Sequence, residues 1–72
     1  MLNDQEIKDF VLDVLQFRAR NRMTQSDLAK LSGLSIGSIV RLERLDKVRG
    51  TTIAKVELAM KWHEKNGEDN IA

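Results

Sequence analysis

The chain has 72 residues, no cysteine, no proline and a net charge of +1. That length suits one small domain with a marginal core, and without cysteine neither disulfides nor a thiolate metal site can reinforce it. The charge is unevenly spread: residues 1–17 hold one base and four acids (−3), residues 18–49 eight bases and three acids (+5), and residues 50–72 three bases and four acids (−1). A basic middle segment is what a surface facing an anionic partner requires; its plainer reading is a solvated face. Apolar residues recur at spacings of three and four, and no segment alternates with a period of two, so the chain reads as all-α. No apolar run is long enough to span a membrane, and the acidic residues following Met1 do not resemble a secretory signal. An intracellular protein is expected.

The first helix is expected to start after Asn3, where Asn followed three residues later by Glu6 makes a capping box and Leu2 with Ile7 a hydrophobic staple. Ile7, Phe10, Val11, Val14 and Arg18 share one face, with Leu15 and Phe17 widening it, and the helix should stop near Arg20 or Asn21. Acids at its start and arginines at its end both suit the helix dipole.

The same start signal recurs twice. Met23 and Thr24 stand before Asp27 and Leu28, and Leu34 and Ser35 before Ser38 and Ile39. Gly33 falls where a left-handed residue must close the second helix. The second helix is therefore expected over 25–32 and the third over 36–45.

Residues 46–50 read as a basic, irregular connector. Thr51 or Thr52 should cap a fourth helix with Ile53, Val56, Ala59 and Met60 inward. At 100° per residue Leu58 and Trp62 lie on the opposite side, covering another part of the fold or forming an exposed patch. Trp62 taken alone reads first as a partly buried core aromatic and second as a dimer or partner contact. The domain is expected to end near residue 66, with 67–72 a disordered tail after Gly67.

The segment 24–44 joins two short helices through a tight turn. Leu28, Leu34, Ile39 and Leu42 supply its apolar side, and Ala29 is small where the helices must cross closely. Thr24-Gln25, Leu28-Ala29, Gly33, Ser35, Ile39 and Glu43 together resemble the Cro/CI-type (XRE-like) helix-turn-helix family of phage and bacterial regulators, over residues 18–60. The resemblance implies a four- to five-helix lambda-repressor-like domain and a cytoplasmic regulator of a temperate-phage-type switch in a bacterial host cell. It also implies that Arg18, late in the first helix, pairs with Glu43 in the third as a structural ion pair.

Two partners follow from the resemblance. In DNA-binding relatives the third helix enters the major groove, which places Ile36, Gly37, Ser38 and Arg41 at base edges with Val40 and Arg44 adjoining. Thr24, Gln25, Ser35, Lys47 and Arg49 would then hold phosphates. Arg41 suits guanine, but Ile36 and Gly37 bring no hydrogen-bonding side chain to positions where such readers often have one. An apolar centre of Ile36, Gly37 and Val40 rimmed by Arg41 and Arg44 suits a protein interface instead. The expectation leans to a modulator or antirepressor that docks this helix on a cognate CI-like repressor, with operator DNA as the alternative. The short chain after the fourth helix suggests a monomer or a weak homodimer through Leu58 and Trp62.

Nothing points to catalysis or a cofactor. His63-Glu64 lacks a second histidine and the spacing of a zinc site, and there is no glycine-rich phosphate loop and no nucleophile–base pair. The acids of the first helix read as a solvated face.

Overall fold

The computed structural model describes residues 2–69, with backbone only for 67–69. Four helices follow in order: α1 (Asp4–Asn21), α2 (Gln25–Ser32), α3 (Ile36–Glu43) and α4 (Gly50–Asp69). No strand occurs among the described residues. No helix is long and apolar enough to cross a membrane.

The helix starts obey local chemistry. Asn3 Oδ1 accepts the Glu6 N–H at 2.8 Å while Glu6 Oε1 accepts the Asn3 N–H, a complete capping box. Thr24 and Asp27 make the same reciprocal pair, both bonds 3.0 Å. Ser35 caps α3 by accepting the Ser38 N–H at 3.3 Å. Each cap satisfies a backbone donor that the first turn leaves without a carbonyl.

The helix ends share one closure as well. Arg22, Gly33 and Leu45 are left-handed, with φ of 54°, 70° and 63°. After each, the next N–H reaches back five residues: Met23 to Arg18, Leu34 to Ala29 and Asp46 to Arg41. Only at Gly33 is this conformation free of a Cβ penalty; Arg22 and Leu45 adopt it against the usual preference of L-residues. The closure at Leu45 corrects the predicted end of the third helix, which stops at Glu43 instead of 45.

The core takes residues from every helix. Phe17 and Val14 of α1, Leu28 of α2, Ile39 and Leu42 of α3 and Val56 of α4 are fully buried, with Val11, Ala29 and Ala59 nearly so. α2 packs against both α3 and α4, and α1 packs on α3. Met23 and Leu34, preceding the caps of α2 and α3, are partly buried against this core, the role a staple residue has. Leu15 departs from expectation: it is 38% exposed at the rim, because Val11, Val14 and Phe17 already fill the inward stripe of α1.

α4 departs from the sequence reading three times. It begins at Gly50, with the Arg49 carbonyl accepting the N–H groups of Thr52 and Ile53, so neither Thr51 nor Thr52 is its cap. It runs on through Asp69 rather than ending near residue 66; the rest of the expected tail, residues 70–72, lies outside the described residues. Finally, Trp62 is 59% exposed and Leu58 69%, so neither covers the core. His63 turns inward in place of Trp62 and meets the Phe17 ring edge-on, centroids 5.5 Å apart.

Candidate functional site

The region around α3 contains two polar assemblies of opposite character. The first is closed. Arg18 Nε and Nη2 donate to the two carboxylate oxygens of Glu43, each at 2.7 Å, while Nη1 donates to the Met23 carbonyl at 3.1 Å. Gln25 Nε2 adds a bond to Glu43 Oε1 at 3.1 Å. The Glu43 side chain is only 6% exposed and that of Arg18 21%. Hydrogen bonding to Glu43 raises the Arg18 pKa further above neutrality; burial opposes this, and Coulombic attraction to the same carboxylate adds to it. A fork-to-fork pair with a further donor on a carbonyl is a structural lock tying α1, the α1–α2 turn and α3 together.

The second assembly is open. A groove of about 440 Å³ lies between α3, the α3–α4 connector and the first turns of α4. Arg41, Lys47, Arg49 and Lys55 line it with the hydroxyl-bearing Ser38, Thr51 and Thr52, and no carboxylate among the described residues lines it. Four cations with no ion-pair partner among the described residues form a region of positive potential directed at solvent.

Beside the groove lies the outward face of α3. Ile36 is 52% exposed, Arg41 and Arg44 are exposed, and Gly37, Ser38 and Val40 are half-buried. The Arg41 guanidinium lies over Gly37: a Cβ there would have it at 3.8 Å, an ordinary contact. Arg44 stands 3.9 Å from Asp46, an exposed and therefore weak pairing. The Ser35 and Ser38 hydroxyls are 3.1 Å apart and bonded to each other, so the hydrogen-bonding capacity of this turn is partly spent within the chain.

The structure therefore brings together some of the residues that the sequence singled out and separates others. Ser38 and Arg41 from the α3 face join Lys47 and Arg49 in one groove. Thr24 and Gln25 belong elsewhere, Thr24 to the α2 capping box and Gln25 to the Arg18–Glu43 lock. Sequence reasoning missed Thr51, Thr52 and Lys55 as groove residues because it used the threonines as caps. The available signal was Arg49-Gly50 at the helix start: an arginine has no acceptor oxygen, so it caps nothing.

Other surfaces are less equipped. Leu58 and Trp62 line a shallow apolar depression with Leu31 and Gly33. His63 packs on Phe17, and among the described residues no three potential metal ligands converge.

These features define an all-helical domain with a cationic groove beside a partly apolar helix face. No protein-family model matches the chain, and no curated protein or solved structure matches it either.

Proposed function

We propose that this chain is a helix-turn-helix regulator of the Cro/CI type, in a lambda-repressor-like fold, and that it acts as a modulator or antirepressor in a temperate-phage-type switch. In this reading the α2–turn–α3 unit docks through α3 on a cognate CI-like repressor and blocks that repressor's access to its operator. Ile36, Gly37 and Val40 form the apolar centre of the contact, with Arg41 and Arg44 pairing with acids of the partner.

The observation that carries this reading is the half-exposed Ile36 in the first turn of α3, where a base reader needs a hydrogen-bonding side chain. Two neighbouring facts support it: the Ser38 hydroxyl is tied to Ser35, and the Gln25 amide donates to Glu43. Exposed aliphatic surface beside exposed arginines fits the composition of interface centres, where arginine is enriched and lysine depleted.

A second reading, operator binding with α3 in the major groove, is favoured by one specific feature, the acid-free groove of Arg41, Lys47, Arg49 and Lys55. A gel-shift titration of the switch promoter, with and without the repressor, separates the two. Relief of the repressor's shift without a shift by this chain alone is expected. A steeply salt-dependent shift by this chain alone overturns the proposal.

Substitution sharpens the test. Ile36→Asp places an acid in the first turn of a helix, where the dipole tolerates it, so the fold should persist while repressor binding falls by about 30-fold or more. Val40→Asp should act likewise, whereas Arg41→Ala should be the more damaging change if DNA is the partner.

A further inference from the structure

The start of α4 carries an unused device. α1, α2 and α3 each have a side-chain oxygen on their first turn, from Asn3, Thr24 and Ser35. α4 has Arg49 in the corresponding place, and Arg49 donates but cannot accept. The N–H groups of Thr52 and Ile53 turn back to the Arg49 carbonyl, whereas those of Gly50 and Thr51 have no acceptor among the described residues. The head of this 20-residue helix borders the groove through Thr51 and Thr52.

A second and independent feature lies beside it. Thr52 is the one polar residue among the described buried set, at 9% exposure, and its side chain lines the groove. Its hydroxyl has no hydrogen-bond partner among the described residues, yet it is not sealed off, since no fully buried side-chain oxygen is left unsatisfied. A hydroxyl without a partner in the chain is left to solvent or to an external acceptor. It adjoins a space walled by Arg41, Lys47, Arg49 and Lys55, whose positive potential favours an acceptor carrying negative charge.

We propose that the groove at the head of α4 is an oxyanion site, filled by an Asp or Glu carboxylate of the protein partner. The carboxylate accepts from the Thr52 hydroxyl and the free N–H group of Thr51, with the four surrounding cations supplying attraction. The choice of a carboxylate rests on the docking reading above: the groove adjoins the α3 face through Ser38 and Arg41, so a partner seated on Ile36 and Val40 reaches it with an acidic side chain. The site makes the recognised surface of that partner acidic as well as apolar.

The test uses the full chain, labelled with ¹⁵N, and three probes at matched ionic strength: sodium phosphate, hexaglutamate peptide and a random-sequence duplex. Phosphate and hexaglutamate are expected to shift the Gly50, Thr51 and Thr52 amides saturably. Thr52→Val should weaken both by about tenfold, the usual loss for one hydrogen bond to a charged group. It should leave the melting temperature unchanged or raised, because no internal bond is broken; a variant that melts earlier would show the hydroxyl to be structural and overturn the site. Shifts that are linear in salt, spread over all lysines or unaltered by Thr52→Val also overturn it. Saturation by the duplex at lower concentration than by hexaglutamate assigns the site to nucleic-acid phosphate and overturns the carboxylate. Ile36 lies outside the groove, so Ile36→Asp tests the docking reading separately: repressor binding that survives it removes that reading, while the amide shifts still report on the site.

Discussion

The Arg18–Glu43 lock and the groove at the head of α4 are both charged and both adjoin α3, yet they behave as opposites. In the lock the facing charges and their bridging groups are paired inside the chain: two 2.7 Å bonds between guanidinium and carboxylate, one to the Met23 carbonyl and one from Gln25. In the groove four cations, the Thr51 N–H and the Thr52 hydroxyl have no partner among the described residues. Charge that is internally satisfied holds a fold together, whereas charge left unsatisfied at a rigid place is available to something else. A count of charged residues cannot separate the two, because Arg18 and Glu43 are tallied in residues 18–49 alongside Arg41, Lys47 and Arg49.

The largest expected effect is on the closed side of this contrast. Arg18→Met strands a Glu43 carboxylate whose side chain is 6% exposed, at a cost of about 3–5 kcal/mol. For a domain of this size that lowers the melting temperature by about 12 °C or more, readable by circular dichroism. Arg18→Met combined with Glu43→Leu should recover much of the loss, and failure to do so would show that the lock does more than neutralise itself. The open side predicts the reverse: Lys47→Ala or Lys55→Ala should leave the melting temperature within about 1 kcal/mol of equivalent stability, since neither side chain has an ion-pair partner among the described residues.

The glycines extend the contrast to the backbone. Gly33→Ala should cost about 1–2 kcal/mol, because residue 33 is left-handed at φ 70° although space for a Cβ is open. Gly37→Ala should instead stabilise the chain by up to about 1 kcal/mol, since residue 37 is helical and an added Cβ meets the flexible end of Arg41 and the Ser35 hydroxyl at ordinary contact distance. Both are measured by urea denaturation. If Gly37→Ala stabilises the fold but weakens repressor binding, the missing Cβ belongs to the partner surface.

The smallest effect is set by pH. The Thr24 N–H, and then its hydroxyl, hold the Asp27 carboxyl below its ordinary pKa. A carboxylate depressed in the folded state contributes stability above its unfolded pKa, about 3.9, and that contribution disappears as pH falls through the lower folded value. Asp27→Asn should therefore lose less melting temperature than the parent between pH 6 and pH 2.5. The difference should be small, since Asp27 is fully exposed to solvent.

Much of the fold was legible in local sequence. Asn3, Thr24 and Ser35 started their helices, Gly33 ended α2, and the spacing of Val11, Val14, Phe17, Leu28, Ile39, Leu42 and Val56 marked the core. These signals are short-range, since a cap or a left-handed glycine acts on backbone groups within about a turn. The ends of α3 and α4 were not legible. Leu45 closes α3 in a conformation leucine avoids, and α4 starts with no capping side chain, so neither boundary carries its usual residue.

The site divides along the same line. Sequence alone determined that residues 18–49 are basic and that Ile36, Gly37 and Val40 sit among arginines on one helix; Arg18 and Glu43 were candidates for a pair only through the resemblance to a helix-turn-helix family. Only tertiary structure decided which charges are spent. Twenty-five residues of sequence separate Arg18 from Glu43, and α3, the connector and α4 must fold together before Arg41, Lys47, Arg49 and Lys55 share a groove. Local chemistry fixes where helices begin; whether a charged side chain finds a partner depends on what the packing of distant helices brings within about 3 Å of it.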